Sequence, residues 1–213
     1  MKLKNGSIFI IPLMYDLGWA FAKYLDADIM FPREDGRRNH TEAILRIHNC
    51  ILKEKPKVIP DFSEIDLLLN PLAVTGINNR NYKQLNWEML GYTPVIEEDY
   101  ILPNVKSFWP PIENSEEYVV YENILNSFVG NGYKYLMTDK EKTLHLEFND
   151  HIGMGIVMFR ITMEFLKIQG KDIKEQYGLE KPIHEIMYNR YCDSPIFSQL
   201  PSEIKGKYQY WDL

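Results

Sequence analysis

The sequence predicts an α+β fold, in which a β-rich N-terminal sheet or barrel-like half is followed by a β-hairpin and two or three packed helices. Three observations predict it. Short apolar runs separated by Gly, Pro and Asn turns fill the first half. Apolar and polar residues alternate over residues 143–148, and apolar residues recur every three or four positions over residues 152–166. Because Pro110-Pro111 fits neither a helix nor a central strand, it divides the chain into residues 1–111 and 112–213, as two packed parts or one composite domain.

Two strands joined by a turn are predicted at the N-terminus. Residues 7–13 are mainly apolar, and residues 19–25 follow the turn residues Asp16-Leu17-Gly18. Pro12 has no N–H group to donate, so it should lie at a strand end or a sheet edge. Further strands are predicted at residues 67–75 and 87–95, while residues 43–52 fit the periodicity of a strand and of a helix.

The C-terminal half is predicted to begin with a helix over residues 116–128. Residues 133–137 and 143–148 would then form the two strands of a hairpin, with the turn at residues 138–141. Alternation in the second of these strands predicts that one face is buried and the other is solvated.

Two more helices are predicted towards the C-terminus. Residues 152–166 place their apolar side chains on one stripe of about four turns. Asn149 or Asp150 would cap the start of this helix, and Gly170 would end it. The last helix, over residues 182–192, has a proline in its first turn and is expected to bury Ile183, Ile186 and Met187.

The composition excludes several classes of protein. A hydrophobic content of 45% and a mean hydropathy of −0.32 exclude a disordered chain, and no apolar run reaches the roughly 18 residues of a membrane-spanning helix. The net charge is −6, and residues 61–130 carry eleven acidic but only three basic side chains, so we expect no direct contact with nucleic acid. Cys50 and Cys192 lie outside any CxxC motif, which favours the reducing cytoplasm.

Catalytic signatures are mostly absent. The chain has no GxxxxGK[ST], GxGxxG or GxSxG motif, so neither a catalytic residue nor a cofactor is predicted. One alternative is a metal-dependent hydrolase, whose metal ion would bind two imidazoles and two carboxylates: His145, Glu147, Asp150 and His151. Their spacing matches no established metal motif, and the solvated face of a hairpin explains them more simply. Another alternative is a peptide- or glycan-binding module that exposes Trp109 and Trp211.

Acidic residues cluster where the negative charge of the chain is concentrated. One group follows a predicted strand and consists of Glu97, Glu98 and Asp99. A second group flanks the double proline and consists of Glu113, Glu116 and Glu117. A negative patch attracts a basic partner and raises the rate of encounter, as in inhibitors of nucleases. We therefore predict that these six side chains are exposed and form a partner-binding surface.

The N-terminal part of the chain resembles a known family. Residues 4–13 (KNGSIFIIPL) are similar to the opening strand of the immunity protein 26 family of bacterial polymorphic-toxin systems, and residues 18–22 (GWAFA) are similar to its glycine-aromatic second strand. Residues 87–95 (WEMLGYTPV) resemble a later family segment, and an acidic pair and Leu102-Pro103 follow it as they do in the family. The resemblance spans residues 4–110, about half of the chain.

This resemblance implies a small, mostly β N-terminal part and a non-catalytic function. The function would be to bind a cognate toxin domain in the cytoplasm and to block its active site. Ser7 stands where the family has an Asp, and the 103 residues after Pro110 match nothing in the family. The family pairs with varied toxins, so the resemblance does not identify the target.

Overall fold

The computed structural model describes residues 2–32, 36, 38, 43–78, 80–109, 117–121, 135–202, 204 and 205. Within these residues the fold is α+β, with ten strands in two sheets and five helices, and neither sheet closes into a barrel. The strands are β1 (Ser7–Pro12), β2 (Trp19–Asp26), β3 (Ala43–Leu52), β4 (Leu72–Thr75), β5 (Glu88–Tyr92), β6 (Val105–Trp109), β7 (Glu117–Tyr121), β8 (Tyr135–Asp139), β9 (Glu147–Phe148) and β10 (His151–Gly153). The helices are α1 (Ala27–Met30), α2 (Asn81–Gln84), α3 (Met154–Ile168), α4 (Ile173–Tyr177) and α5 (Pro182–Tyr191).

The predicted hairpin at the N-terminus is confirmed. Strands β1 and β2 pair in antiparallel register from Ser7 opposite Tyr24 to Pro12 opposite Trp19. Pro12 is the last residue of its strand, as its missing N–H requires. Gly18 in the connection has φ +132, and a Cβ atom there would lie 2.5 Å from the Leu52 carbonyl oxygen, so this position accepts only glycine.

Strand β3 resolves the ambiguous segment, because residues 43–52 form a strand and not a helix. It pairs with β2 along its length and with β4 over Ala43–Leu45. The first sheet therefore has the order β10-β4-β3-β2-β1-β5. β3 and β2 are inner strands of this sheet, and that position explains why their central residues are almost all buried.

Two predictions for the C-terminal half are wrong. Residues 117–121 form strand β7 where a helix was expected, and the rest of that predicted helix lies outside the described residues. The hairpin of residues 133–148 does not form, because β8 pairs with β7 while β9 pairs in parallel with β6. The second sheet has the order β8-β7-β6-β9. The partner of β9 therefore lies some 40 residues earlier in the chain. The alternation of residues within β9 gives no information about such a distant partner.

Helices α3 and α5 confirm the predicted helical segments. α3 buries its apolar stripe against the first sheet in the largest hydrophobic core, and Gly170 follows it with φ +68. Its start is not capped by Asn149 or Asp150, since the N-cap residue is Gly153. α5 begins with Pro182 and buries Met187. The expectation for the two isoleucines of α5 is wrong, because 37% of Ile183 and 38% of Ile186 is exposed.

The two halves of the sequence share their sheets. β10 from the C-terminal half adds to the edge of the first sheet beside β4, and β6 from the N-terminal half lies in the second sheet. Only Asn149 and Asp150 separate β9 in the second sheet from β10 in the first. The double proline falls between β6 and β7, which are neighbouring strands of one sheet.

Candidate functional site

The candidate site lies on the face of the first sheet that points away from α3. Alternation along β2 places Phe21, Lys23 and Leu25 on this face, and the register pairs Lys23 with Arg46 and Phe21 with His48 on β3. Phe21 packs there in a small apolar cluster of its own. Two cations and an imidazole therefore occupy strand positions whose neighbours are fully buried apolar residues.

Asp99 neutralises the two cations. Lys23 and Arg46 lie directly opposite each other on neighbouring strands, where like charges repel. The Lys23 Nζ atom donates to Asp99 Oδ2 at 2.5 Å, and Arg46 Nε lies 3.3 Å from Asp99 Oδ1. The backbone N–H of Ile96 donates to the same carboxylate at 3.0 Å. Asp99 is 2% exposed, so this ion cluster is buried on its carboxylate side.

The cluster also fixes the backbone on both sides of Asp99. Lys23 Nζ donates a second hydrogen bond to the Pro94 carbonyl at 2.6 Å. Arg46 Nη1 donates to the Ile101 carbonyl at 3.4 Å. Residues 94–101 are therefore held to the sheet at three points, by side chains that belong to two inner strands.

A cavity of about 660 Å³ opens beside this cluster. Its lining includes both cations, His48, Phe62 and the Ile65–Leu67 segment. His48 is 8% exposed, and neither of its ring nitrogens makes a hydrogen bond of normal geometry. Its ring stacks on Phe62 with the centroids 3.8 Å apart and the planes 10° from parallel.

The surroundings of His48 keep the imidazole neutral. Burial, together with the positive charges of Arg46 and Lys23, lowers the pKa of His48 to about 4, while Asp99 and the backbone of Ile65 act in the opposite direction. At neutral pH the ring therefore carries one N–H donor and one nitrogen acceptor, and both nitrogens are buried.

On the outer side of the same segment, acidic and apolar side chains face solvent. Glu97 and Glu98 are exposed, within a short 3₁₀ turn of residues 97–100. The large apolar residues around them are exposed as well: Ile96 (53%), Tyr100 (53%) and Ile101 (39%). We call residues 96–101 the anchored segment, since Asp99 fixes it from within.

The six acidic residues predicted to bind a partner have different positions. Glu97, Glu98 and Glu117 are exposed, with Glu117 at the start of β7. The expectation of exposure is wrong for Asp99, because the two cations of the sheet draw its carboxylate inwards. Glu113 and Glu116 lie outside the described residues.

The two carboxylates proposed to bind a metal ion are engaged in ion pairs, while His145 lies in a turn before β9 and His151 begins β10. Glu147 Oε1 accepts from Arg160 Nη2 at 2.6 Å, and Asp150 binds Arg190 and the Tyr191 hydroxyl group. Among the residues that the structure describes, no group of three or more His, Cys, Asp or Glu could hold a metal ion. The hydrolase alternative therefore loses the cluster on which it was based. Of the tryptophans proposed for a glycan platform, Trp211 lies outside the described residues, and Trp109 ends β6.

Arg160 is the centre of a second buried ion cluster, on α3. It is 1% exposed and also donates from Nη1 to Glu164 Oε2 at 3.1 Å. Lys167 Nζ lies 3.4 Å from the same Glu164 oxygen. Burial raises the pKa of Glu147, and Arg160 opposes that shift. The cavity beside Arg160 measures only about 10 Å³, no more than the space of one water molecule.

Sequence reasoning missed Lys23, Arg46 and His48. A signal was present, because the patterns Phe21-x-Lys23-x-Leu25 and Ile44-x-Arg46-x-His48 place charged or polar residues at the buried positions of predicted strands. Such residues require a partner of opposite charge inside the fold, and the acidic run of residues 97–99 after a predicted strand contains one. The pairing itself depends on a contact 76 residues apart in the chain.

Comparisons with known proteins give no relative. The chain matches no family model, and no significant match exists among curated proteins or solved structures. The resemblance to the immunity protein 26 family thus stays a prediction from the quoted motifs. None of the helices in the described ranges combines the length and the apolar character needed to cross a membrane.

Proposed function

We propose that this chain is an immunity protein, which binds a cognate bacterial toxin domain and occludes its active site without catalysing a reaction. The observation that carries the proposal is the anchored segment, because it combines exposed apolar and aromatic residues with two exposed carboxylates. Ile96, Tyr100 and Ile101 supply contact area, and Glu97 and Glu98 supply charge. This combination is typical of protein interfaces, in which aromatic anchors contribute affinity and charge sets the rate of encounter.

The anchor beneath the segment favours binding to a preformed surface. Asp99, Pro94 and Ile101 are each held by Lys23 or Arg46, so the backbone of the segment is fixed before a partner arrives. A loop that is already fixed loses little conformational entropy on binding, and this smaller entropy loss raises the affinity.

The charge of the segment favours a basic partner. Nuclease toxins present basic clefts to their phosphate substrates, and carboxylates can occupy such a cleft. Glu117 is exposed as well, at the start of β7 in the second sheet. We place this function in the cytoplasm, in line with the unpaired Cys50 and Cys192.

The experiment that tests the proposal uses the protein encoded by the neighbouring upstream gene. The full chain is expressed with the C-terminal domain of that protein, and we expect it to restore growth and to co-purify in a 1:1 complex. The double variant Glu97→Lys/Glu98→Lys should then slow association by about tenfold at low salt and weaken its salt dependence, because rim charges act mainly on the association rate.

A matched control is the variant Glu175→Lys/Glu185→Lys, which makes the same charge change at exposed positions of α4 and α5. This control should associate with the partner at nearly the rate of the unmodified chain. Equal slowing by both variants would show that only the net charge acts, and failure to protect or to bind would refute the proposed function.

A further inference from the structure

We propose that the cavity between Lys23, Arg46 and His48 is a binding site for a small organic oxyanion, a carboxylate or a phosphate monoester with an apolar body. This inference goes beyond the proposed function, since it concerns the inner side of the anchored segment and needs no protein partner. Four properties of the cavity support it: its unsatisfied hydrogen-bond donors, the charge of its inner wall, its volume and apolar lining, and the residues at its rim.

Hydrogen-bond donors converge on the cavity without enough acceptors. Lys23 has three N–H groups, and among the described residues two of them find acceptors, at Pro94 and Asp99. Arg46 uses Nε and Nη1 towards Asp99 and Ile101, and Nη2 has no acceptor in the described part of the chain. His48 adds a buried ring whose nitrogens both lack a hydrogen bond of normal geometry. A ligand with two or three acceptor oxygens would satisfy all three side chains.

The charge of the inner wall has the sign that an oxyanion needs. Two cations share one carboxylate, and His48 is neutral, so the inner wall carries one net positive charge in a chain whose total is −6. A guanidinium and an ammonium group together bind carboxylate or phosphate through charge-assisted hydrogen bonds.

The remaining walls fit an apolar body. Phe62, Ile65 and Pro94 line the cavity beside the polar wall. The volume of about 660 Å³ exceeds what an inorganic ion fills and lies within the usual range for small-molecule sites. An aromatic or branched aliphatic acid therefore matches the cavity better than a bare ion.

Asp61, Asp66 and Glu98 are exposed at the rim and oppose this charge from the solvent side. Asp66 is paired with Lys205 Nζ at 2.6 Å, and the Asp61 carboxylate accepts the backbone N–H of Ser63 at 3.0 Å. Glu98 also lines the cavity and acts on Arg46, but it is exposed to solvent, which weakens its field. Lys23 is buried and Arg46 is largely buried, so solvent screens their interaction with a ligand less.

The experiment titrates the full chain, with its histidines isotope-labelled, against benzoate and phenyl phosphate, and it follows the His48 ring signals by NMR. Benzamide serves as the uncharged probe of similar shape. We expect saturable shifts of the His48 signals at millimolar concentrations for at least one of the two anions and none for benzamide. The anion that binds more tightly identifies the ligand as a carboxylate or a phosphate ester.

The variant His48→Gln should weaken the binding of that anion by about tenfold, because one hydrogen bond to a charged group is lost. His145→Gln removes a histidine outside the cavity and should leave the binding unchanged. His48 signals that do not saturate with either anion, equal binding of benzamide, or unchanged affinity in His48→Gln would each overturn the inference. Since no toxin is needed, failure here leaves the proposed immunity function unaffected, and the reverse also holds.

Discussion

The two buried ion clusters of this protein differ in the space that the fold leaves beside them. In the Arg160 cluster on α3 the carboxylates of Glu147 and Glu164 hold the guanidinium group, Lys167 also contacts Glu164, and the cavity beside them is no larger than one water molecule. In the Asp99 cluster one carboxylate is shared by Lys23 and Arg46, beside an open cavity of about 660 Å³. The comparison indicates that the closed cluster serves the fold, while the open cluster keeps groups available for binding.

The largest expected effect on stability comes from the closed cluster. Arg160→Met would leave Glu147 as an uncompensated buried charge and Glu164 with Lys167 alone, so we expect a loss of about 3–5 kcal/mol in the free energy of unfolding. Urea denaturation at neutral pH measures it. Lys171→Met removes an exposed cation just after the same helix and should cost less than about 0.5 kcal/mol. Equal losses in the two variants would contradict the structural role of the Arg160 cluster.

The open cluster should be less costly to break. Asp99→Asn keeps the shape of the side chain but leaves Lys23 and Arg46 facing each other, and water from the cavity can partly solvate them. We therefore expect a loss of about 2–3 kcal/mol in the free energy of unfolding. Asp61→Asn, at the exposed rim of the same cavity, should change it by less than about 0.5 kcal/mol. If Asp99→Asn were as stable as the unmodified protein, the anchor of the segment would lie elsewhere.

The pH dependence of stability should reveal His48. Its pKa is about 4 in the fold and near 6.5 in the unfolded chain, so the unfolded state binds a proton first as the pH falls. Stability contributed by the neutral ring is therefore complete above pH 7 and is lost towards pH 4. From pH 7.5 to pH 5, the unmodified protein should lose about 2 kcal/mol more than His48→Gln, by denaturation at both values. Parallel pH profiles of the two proteins would show that His48 is solvated.

The smallest expected effect lies on the outer side of the anchored segment. Glu97→Lys/Glu98→Lys should change the free energy of unfolding by less than about 0.5 kcal/mol, because both side chains are exposed. Thermal denaturation of this variant and of Asp99→Asn compares the contributions of three neighbouring carboxylates to stability. A large loss in the double variant would place these two residues inside the fold and remove them from the proposed interface.

Local patterns of sequence predicted the elements whose partners are close in the chain. The β1–β2 hairpin follows from two apolar runs around Asp16-Leu17-Gly18, and α3 follows from an apolar stripe that one helix face can bury. β7 was predicted as a helix, since its sheet neighbours β6 and β8 could not be recognised from its own residues. β9 was assigned to the wrong partner for the same reason.

The candidate site shows the same limit. Exposure of Glu97 and Glu98 was predicted from an acidic run after a strand, and the structure places both at the surface. Asp99 belongs to the same run but points inwards, because two cations from distant strands lie beneath it. The charge pattern of the sequence predicts the same exposure for all three residues of the run. Their actual exposure differs, because it depends on which of them faces the cations of the sheet.

The exchange of strands between the halves has a consequence for synthesis on the ribosome. β10 covers the outer side of β4 in the first sheet, yet it is translated after most of the second sheet. Until residues 151–153 emerge, β4 presents an open edge of unpaired backbone groups, which can pair with another chain. The first sheet can close this edge only after the ribosome has made residues 151–153, so the nascent chain needs protection from aggregation for that interval.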